Sequence, residues 1–448
     1  MTGDPAETVR RWLGALGDLA PPPVVAGCPY LDWAASGGMA LTGETAGPPV
    51  LSPAPMMSLL GAVGGALSWL GADIDPALLL GSRAGAMDLT RRGRTSAGGA
   101  SRLLPAADGW LAVTLSRPDD IDLVPAILGR ADVCDPWQDL ATAVRGASAR
   151  EFTARIRMVG VPAAVLPTGT PVTDAPWQVT AIAAPHTTDR PLVVDLSSLW
   201  AGPLCAHLLG RAGARVVKVE STRRPDGARA GNRRFYDWLH AGQESVAVDF
   251  TTAAGRAELA ELVDAADVVI EASRPRALAQ LGLDPERLDH RPGKVWVGIT
   301  GYGRARPDRV AFGDDASVAG GLVARSAGGP VFCADAIADP LTGLVAALGA
   351  LASLAGGGGQ LIDLSMRDVA AAFAGARPTC PGPHPVRTQP AGPVVQCRRL
   401  ARSQAVLPPC APTPEGTAAT SGRDTGRVLA ELRDRRRVFR LRARSDPR

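Results

Sequence analysis

"PLVVDLSSLWAGPLCAHLLGRAGARVVKVE", residues 191–220, sets the fold class. PLVVDLS is a short apolar, β-branched run of the kind buried on both faces of a sheet. GPLCAHLLGRAGA spaces its apolar residues as a helix does, and RVVKVE returns to strand texture. The alternation continues downstream. SVAVDF, DVVIEAS and KVWVGIT read as strands, and TAAGRAELAELVDAAD reads as an amphipathic helix. Strands separated by helical patterns predict an α/β fold with a doubly wound, Rossmann-like parallel sheet, whose ligands bind beyond the carboxyl ends of the strands.

Outward from this segment the texture changes. Residues 1–185 are Ala-rich and helical, with DGWLAVTLSRPDDIDLVPAIL predicting a strand followed by a helix. A stretch holding Asp174, Pro176, Pro185 and His186 predicts a linker. Residues 186–375 then form the strand-helix unit. Over residues 376–448 Pro, Arg and Thr crowd in and periodicity fades, which predicts a loosely ordered tail in which only GRVLAEL, residues 426–432, keeps a helical stripe. There is also an internal echo. SGGMALTGETAGPPV (36–50) resembles AGGLVARSAGGPV (319–331), and an Ala/Leu/Gly-rich helix follows each; the register sets Ser58 where the second copy has Asp339.

With 46% hydrophobic and 21% charged residues the chain is expected to build real cores rather than remain disordered. Its net charge of +4 comes largely from the terminal RDRRRVFRLRARSDPR, and aromatics are 4%, so no nucleic-acid partner is expected. The arginine run at 435–437 reads as a solvated tail, with an anionic partner as the alternative. Two charge-free stretches, 45–72 and 340–362, are long enough to span a membrane. Clustered prolines in the first and four consecutive glycines in the second favour buried helices, so no membrane partner is expected. The seven cysteines are odd in number, scattered and without a CxxC pair, which predicts neither a disulfide framework nor a metal site. MTGDPAETVRRWLG lacks an apolar signal core, so a cytoplasmic location is expected. His207 falls on a helix face without partners and reads as a packed residue.

The stretch CADAIADPLTG, residues 333–343, places carboxylates at the mouth of an apolar run. Asp before Pro is a good helix start, so Asp339 as a plain N-cap is one reading. The other is catalytic. A helix dipole favours an ionised carboxylate, which can attack an activated acyl group, and Gly343 one turn on would let a substrate approach. Asp335 reads as a flanking loop acid.

Taken in order, VVDLSSLWAGPLCAHLLGRAGARVVKVE, RPDGAR, LHAGQESVAVDF, ADVVIEASRPRALAQLGL, GITGYG, ADPLTG and GGGGQLIDLSM resemble the class III CoA-transferase family (CaiB/BaiF type). This family includes formyl-CoA and carnitine CoA-transferases and α-methylacyl-CoA racemases. The resemblance covers about residues 191–366 and implies a Rossmann-like domain plus a smaller α+β domain. RRGRTSAGGASRLLPAADGWLAV and GVPAAVLP resemble the family's later half, so the segments look fused or rearranged, with Ser58 marking an inactive partial repeat.

The resemblance implies roles. Asp339, in the family's D-x-x-T-G motif, would be the nucleophile, passing through aspartyl anhydride and thioester intermediates. Lys218, Glu220, Arg274, Trp200 and Ala201 would face CoA, with Arg274 on its phosphates, and Gly98 and Gly99 would form a loop closing over the site unless they serve a plain turn. Asp226 and Arg229 fall at a family D-x-x-R and read equally as an ion pair. Trp200 stands where the oxalate-using transferase has glutamine, indicating an apolar acyl group or core packing. Gln243 and Glu244 replace two cations, a loss that Arg223, Arg224 or Arg276 would have to offset. Where racemases carry a histidine, FGDDASVAGG has Asp314 and Asp315, which favours transfer over racemisation. The expectation is therefore a CoA-transferase with no permanently bound cofactor, taking a coenzyme A thioester and a carboxylic acid acceptor as substrates in an interlocked homodimer. An α-methylacyl-CoA racemase and a CoA-binding pseudoenzyme are the alternatives.

Overall fold

The computed structural model describes residues 4–23, 27–169, 173 and 175–433. The arginine run at 435–437 and Asp174 lie outside the described residues. The chain is α/β, with a large, mostly parallel sheet and three smaller ones among the described residues. Chain order gives β1 (Ser101–Ala106), β2 (Gly109–Thr114), β3 (Ala163–Val165), β4 (Trp177–Ala181), β5 (Leu192–Asp195), β6 (Arg215–Ser221), β7 (Glu244–Val248) and β8 (Val268–Glu271). It continues with β9 (Val295–Thr300), β10 (Ala324–Ser326), β11 (Gly329–Val331), β12 (Gln360–Ser365), β13 (Val386–Gln389), β14 (Gly392–Cys397) and β15 (Arg402–Ala405).

The central sheet runs β4-β12-β9-β8-β5-β6-β7. All its pairings are parallel except β4 on β12. From β5 the chain builds outward through β6 and β7, then returns to the other side of β5 with β8. The sheet therefore has a topological switch point between β5 and β8, where crevices open at strand carboxyl ends. Every residue of β5 and β8 is buried, as strands covered on both faces require.

The Ala338–Ala355 helix is apolar all round and buried within the fold, packed on the Ala201–Arg211 helix. Gly343 permits that packing: a Cβ there would lie 2.7 Å from the Ala201 carbonyl oxygen and 2.9 Å from Leu204 Cβ. The expectation that Gly343 opens space for substrate is corrected by this contact. Its missing side chain is filled by the neighbouring helix.

Three other expectations change. The linker expected near residue 180 contains β4, an edge strand that pairs with β12 and so joins residues before 186 to the central sheet. The Met56–Trp69 helix shares one core cluster with the Ala338–Ala355 helix, so the first region packs into the second. The tail expected to be loose forms the antiparallel sheet β13-β14-β15, in which Val395 and Cys397 are buried. Residues 425–433 are helical and bury Val428, Leu429 and Leu432 against the central sheet's second face. Fading periodicity misled here because these strands are short and their residues are mostly exposed or half-buried.

The cysteines also depart from expectation. Cys28, Cys380 and Cys397 are buried and converge with His384 into a cluster whose ligand atoms lie within 4.8 Å of one another. No sequence spacing announces it, because β14 and the loop after the Met366–Ala374 helix bring its members together.

Candidate active site

Three cavities meet at the carboxyl ends of β5, β8 and β9. A narrow one of about 180 Å³ is lined by Ser198, Leu199, Gly202, Arg274, Thr300, Phe312 and Asp339. A deeper one of about 690 Å³ runs from Arg83, Gly98 and Ser101 past Trp200 and Phe235 to Asp339. An outer cleft of about 890 Å³ carries Arg117, Arg223, Arg224, Arg274 and Arg276. Ser198, Leu199, Phe312 and Asp339 border both inner cavities, so Asp339 lies at their junction.

Asp339 sits in the first turn of its helix, and Ile337, which makes no side-chain capping bond, holds the cap position. The plain N-cap reading is thereby corrected. The amino end of the Gly313–Ala319 helix presses against it, and a side chain at Gly313 would collide with Asp339 Oδ2 and the Ala336 carbonyl. Burial pushes the Asp339 carboxyl up to about 7, with Arg83 pulling it down and Asp314 and Asp335 adding to the rise. The helix dipole was expected to keep it ionised, but a dipole contributes about 0.3–1 kcal/mol. Desolvation of a buried acid outweighs that, shifting its pKa by up to ~3–5 units.

The neighbouring acids form a set around one guanidinium. Arg83 Nε donates to Asp335 Oδ2 at 2.8 Å, and Arg83 Nη2 donates to Oδ1. Burial opposes the Arg83 charge, yet Asp335, Asp314 and Asp339 together hold its pKa above the ordinary arginine value. Asp314 accepts from Ser101 Oγ at 2.9 Å and from the Ala336 amide at 3.1 Å. Its carboxyl is raised by burial and by Asp335. Asp315 accepts from the Phe312 amide at 2.8 Å and from Thr114 Oγ1 at 3.3 Å. The turn that presents Asp335 has Ala334 and Ala336 at φ 51° and 43°. Left-handed alanines are strained, and strain of this kind gathers at functional sites.

The expected CoA-facing residues divide. Arg274 begins the Pro275–Gln280 helix and faces both the narrow cavity and the outer cleft. Burial first, then the neighbouring cations Arg276, Arg117 and Arg224, lower its pKa, as expected in a group of like charges. Trp200 lines the deeper cavity, with the Arg83 guanidinium 5.4 Å from its ring centroid and Phe235 edge-on at 5.4 Å. Its Nε1 has no hydrogen-bond partner among the described residues. Ala201 borders the narrow cavity and Gly98 the deeper one, beside the Arg83–Asp335 pair. Gly99 instead serves a turn, at φ +83° with its amide donating to the Ser96 carbonyl.

Lys218 lines none of the three cavities. Fully buried, it sits 3.2 Å from both Asp195 Oδ2 and Asp226 Oδ2 and also donates to the Ser197 carbonyl. It therefore ties the turn after β5 to the Asp226 loop. Glu220 borders the outer cleft but is engaged by Arg229, whose Nε lies 2.9 Å from each carboxylate oxygen. The Asp226 and Arg229 side chains accordingly pair with Lys218 and Glu220, while the Arg229 amide donates to the Asp226 carbonyl at 3.0 Å. Gln243 caps back to the Leu239 carbonyl, and Glu244 pairs with Arg215 and Arg427 at the amino end of β7. Neither lines these three cavities, whereas Arg223, Arg224 and Arg276 do. His207 packs beside Trp238, and burial followed by Arg211 lowers its pKa to about 4.

Sequence reasoning missed Arg83, Ser101 and Arg117. Leu199 was missed too. It holds φ 72° in the turn after β5 and gives its amide to Asp226 Oδ1.

With this geometry in place, similarity to known proteins bears on the middle and later part of the chain. Residues 191–400 match the CoA-transferase family III model. The family resemblance of the motifs thus holds over that segment. Over 201 residues the chain is 33% identical to succinyl-CoA–D-citramalate CoA-transferase of Chloroflexus aurantiacus, covering 41% of this chain and 50% of that protein. It is 33% identical over 203 residues to succinate–glutarate CoA-transferase of Agrobacterium fabrum, covering 40% and 51%. Against formyl-CoA:oxalate CoA-transferase of Escherichia coli it is 28% identical over 193 residues, covering 39% and 46%. The chain thus spans about half the length of the curated relatives it matches. A CaiB/BaiF family protein from Brucella suis aligns with TM-score 0.41 and 25% identity over 47% of this chain and 66% of its own.

Proposed function

We propose that the protein moves coenzyme A from an acyl-CoA donor to a carboxylic acid, with Asp339 as nucleophile. The observation that carries this reading is the position of Asp339, where an apolar-walled inner cavity meets a narrow cavity that opens toward five arginines. Phosphates suit the arginine cleft, and the thioester end suits the inner junction.

An Asp339 oxygen attacks the donor's thioester carbonyl carbon, the C–S bond breaks, and CoA leaves as thiolate. The thiolate returns to the aspartyl carbonyl of the mixed anhydride and releases the donor acid. The acceptor carboxylate then attacks the aspartyl thioester, freeing the thiolate again, which takes the acceptor acyl group and restores Asp339. Trp200 and Phe235 give the deeper cavity an apolar wall for the acyl group. Arg83 stabilises the ionised nucleophile among its neighbouring acids, and the Gly313 amide, which hydrogen-bonds the Asp339 carboxylate, is a donor for a developing oxyanion.

The test is chemical trapping. Protein exposed to an acyl-CoA and quenched with hydroxylamine or borohydride should carry its modification on the Asp339 peptide. Modification on another residue would overturn the assignment.

A further inference from the structure

Cys28 lies just before the Pro29–Ala35 helix, Cys380 and His384 sit in the loop after the Met366–Ala374 helix, and Cys397 ends β14. Their four ligand atoms all fall within 4.8 Å of one another, and the three thiols are buried. Cys380 Sγ and Cys397 Sγ are 3.7 Å apart, and Cys28 Sγ is 3.3 Å from His384 Nε2. A tetrahedral zinc ion, with bonds of about 2.3 Å to sulfur and about 2.0 Å to nitrogen, sets its ligands ~3.8 Å (S···S) and ~3.5 Å (S···N) apart. Both observed separations agree with those edges. A disulfide would need the two sulfurs at about 2.05 Å.

The surroundings are built for ligands. The His384 ring stacks on Tyr30 with centroids 3.9 Å apart and planes 15° apart, which fixes the imidazole's direction. Arg399 Nε donates to Cys380 Sγ at 3.2 Å, a cation placed where three thiolates would leave the centre negative. Three soft sulfurs and one imidazole select zinc over the hard, oxygen-seeking ions.

We propose that Cys28, Cys380, His384 and Cys397 bind one zinc ion as a closed structural site. Each thiol releases its proton to solvent on coordination. The ion fastens a segment near residue 28 to the β13-β14-β15 sheet, across 356 positions of sequence. Its effect reaches the inner cavity through a strap. Beyond β15 the Leu407 amide donates to the Ala34 carbonyl at 2.9 Å, and the backbone of Pro409 and Cys410 lies against Gly81 and Gly85. Those glycines belong to the Leu79–Ala86 helix that carries Arg83. The zinc site therefore braces the Arg83–Asp335 pair from outside the cavities.

Elemental analysis of the full chain, purified under reducing conditions from zinc-supplemented culture, should find one zinc per chain. Cobalt exchange should give the visible absorption of a tetrahedral thiolate site. Cys28→Ser and Cys397→Ser should each reduce the zinc to a small fraction of that stoichiometry, while Cys134→Ser, at an exposed cysteine outside the cluster, should retain it. Wild-type protein without zinc after zinc loading would overturn the proposal, even if the variants failed to fold. A Cys380–Cys397 disulfide in the reduced, metal-loaded preparation would overturn it too, as would full zinc retention by the Cys28→Ser/Cys397→Ser double variant.

Discussion

The Met56–Trp69 and Ala338–Ala355 helices are both Ala/Leu/Gly-rich and both buried in the same core, yet of the two only the second begins at the three cavities described above. Ser58 in the first is half-buried and hydrogen-bonds to Thr379 Oγ1 at 2.7 Å. Asp339 in the second meets two cavities and shares Arg83 with two further acids. Apolar texture therefore identifies a core helix and nothing more. The chemistry comes from which helix start the sheet's switch point leaves facing a crevice.

The comparison is broken most sharply at the two helix starts. Asp339→Asn keeps shape and removes the nucleophile, so turnover should fall by at least ~10³-fold in a coupled acyl-CoA assay. The same change should raise the thermal midpoint at neutral pH. A carboxyl whose pKa is raised from 3.8 to about 7 in the fold penalises the folded state increasingly as pH climbs between those values, and Asn carries no such penalty. An unchanged midpoint at pH 8 would contradict the burial of Asp339. In wild type, the rate should climb with pH through about 7 as Asp339 ionises, and a flat profile from pH 6 to 8 would count against it as the attacking group.

Arg274→Ala removes a charged contact worth about 1.5–3 kcal/mol, so KM for the acyl-CoA should rise about 10- to 100-fold with a smaller change in kcat. Gly343→Ala drives a methyl group into the Ala201 carbonyl and Leu204, which should cost about 1–3 kcal/mol of stability in denaturant titration. The smallest effect is expected at the other helix. Ser58→Ala should cost about 1 kcal/mol at most and leave turnover at wild-type level, as befits a start that lines none of the three cavities.

Much of this was legible in the chain. β5, β8 and β9 are short, largely apolar runs and β6 carries valines between its charged residues, which points to a parallel sheet, and DPLTG marks a helix start within two residues. What escaped was long-range or weakly patterned. Arg83 and Asp335 are 252 positions apart, and no local signal joins them. β4 is a five-residue edge strand with most side chains in solvent, so it reads as linker. The protonation of Asp339 was misjudged because the dipole is visible in the sequence whereas the burial that outweighs it belongs to the tertiary structure.

The most direct test follows an oxygen. If the acceptor acid is supplied with both carboxylate oxygens as oxygen-18, the proposed route leaves one of them on the Asp339 carboxylate after each turnover. Mass spectrometry of the Asp339 peptide should then show the heavy isotope, only when donor and acceptor are both present. Turnover with an unlabelled Asp339 would mean that CoA passes between acids without bonding to this side chain.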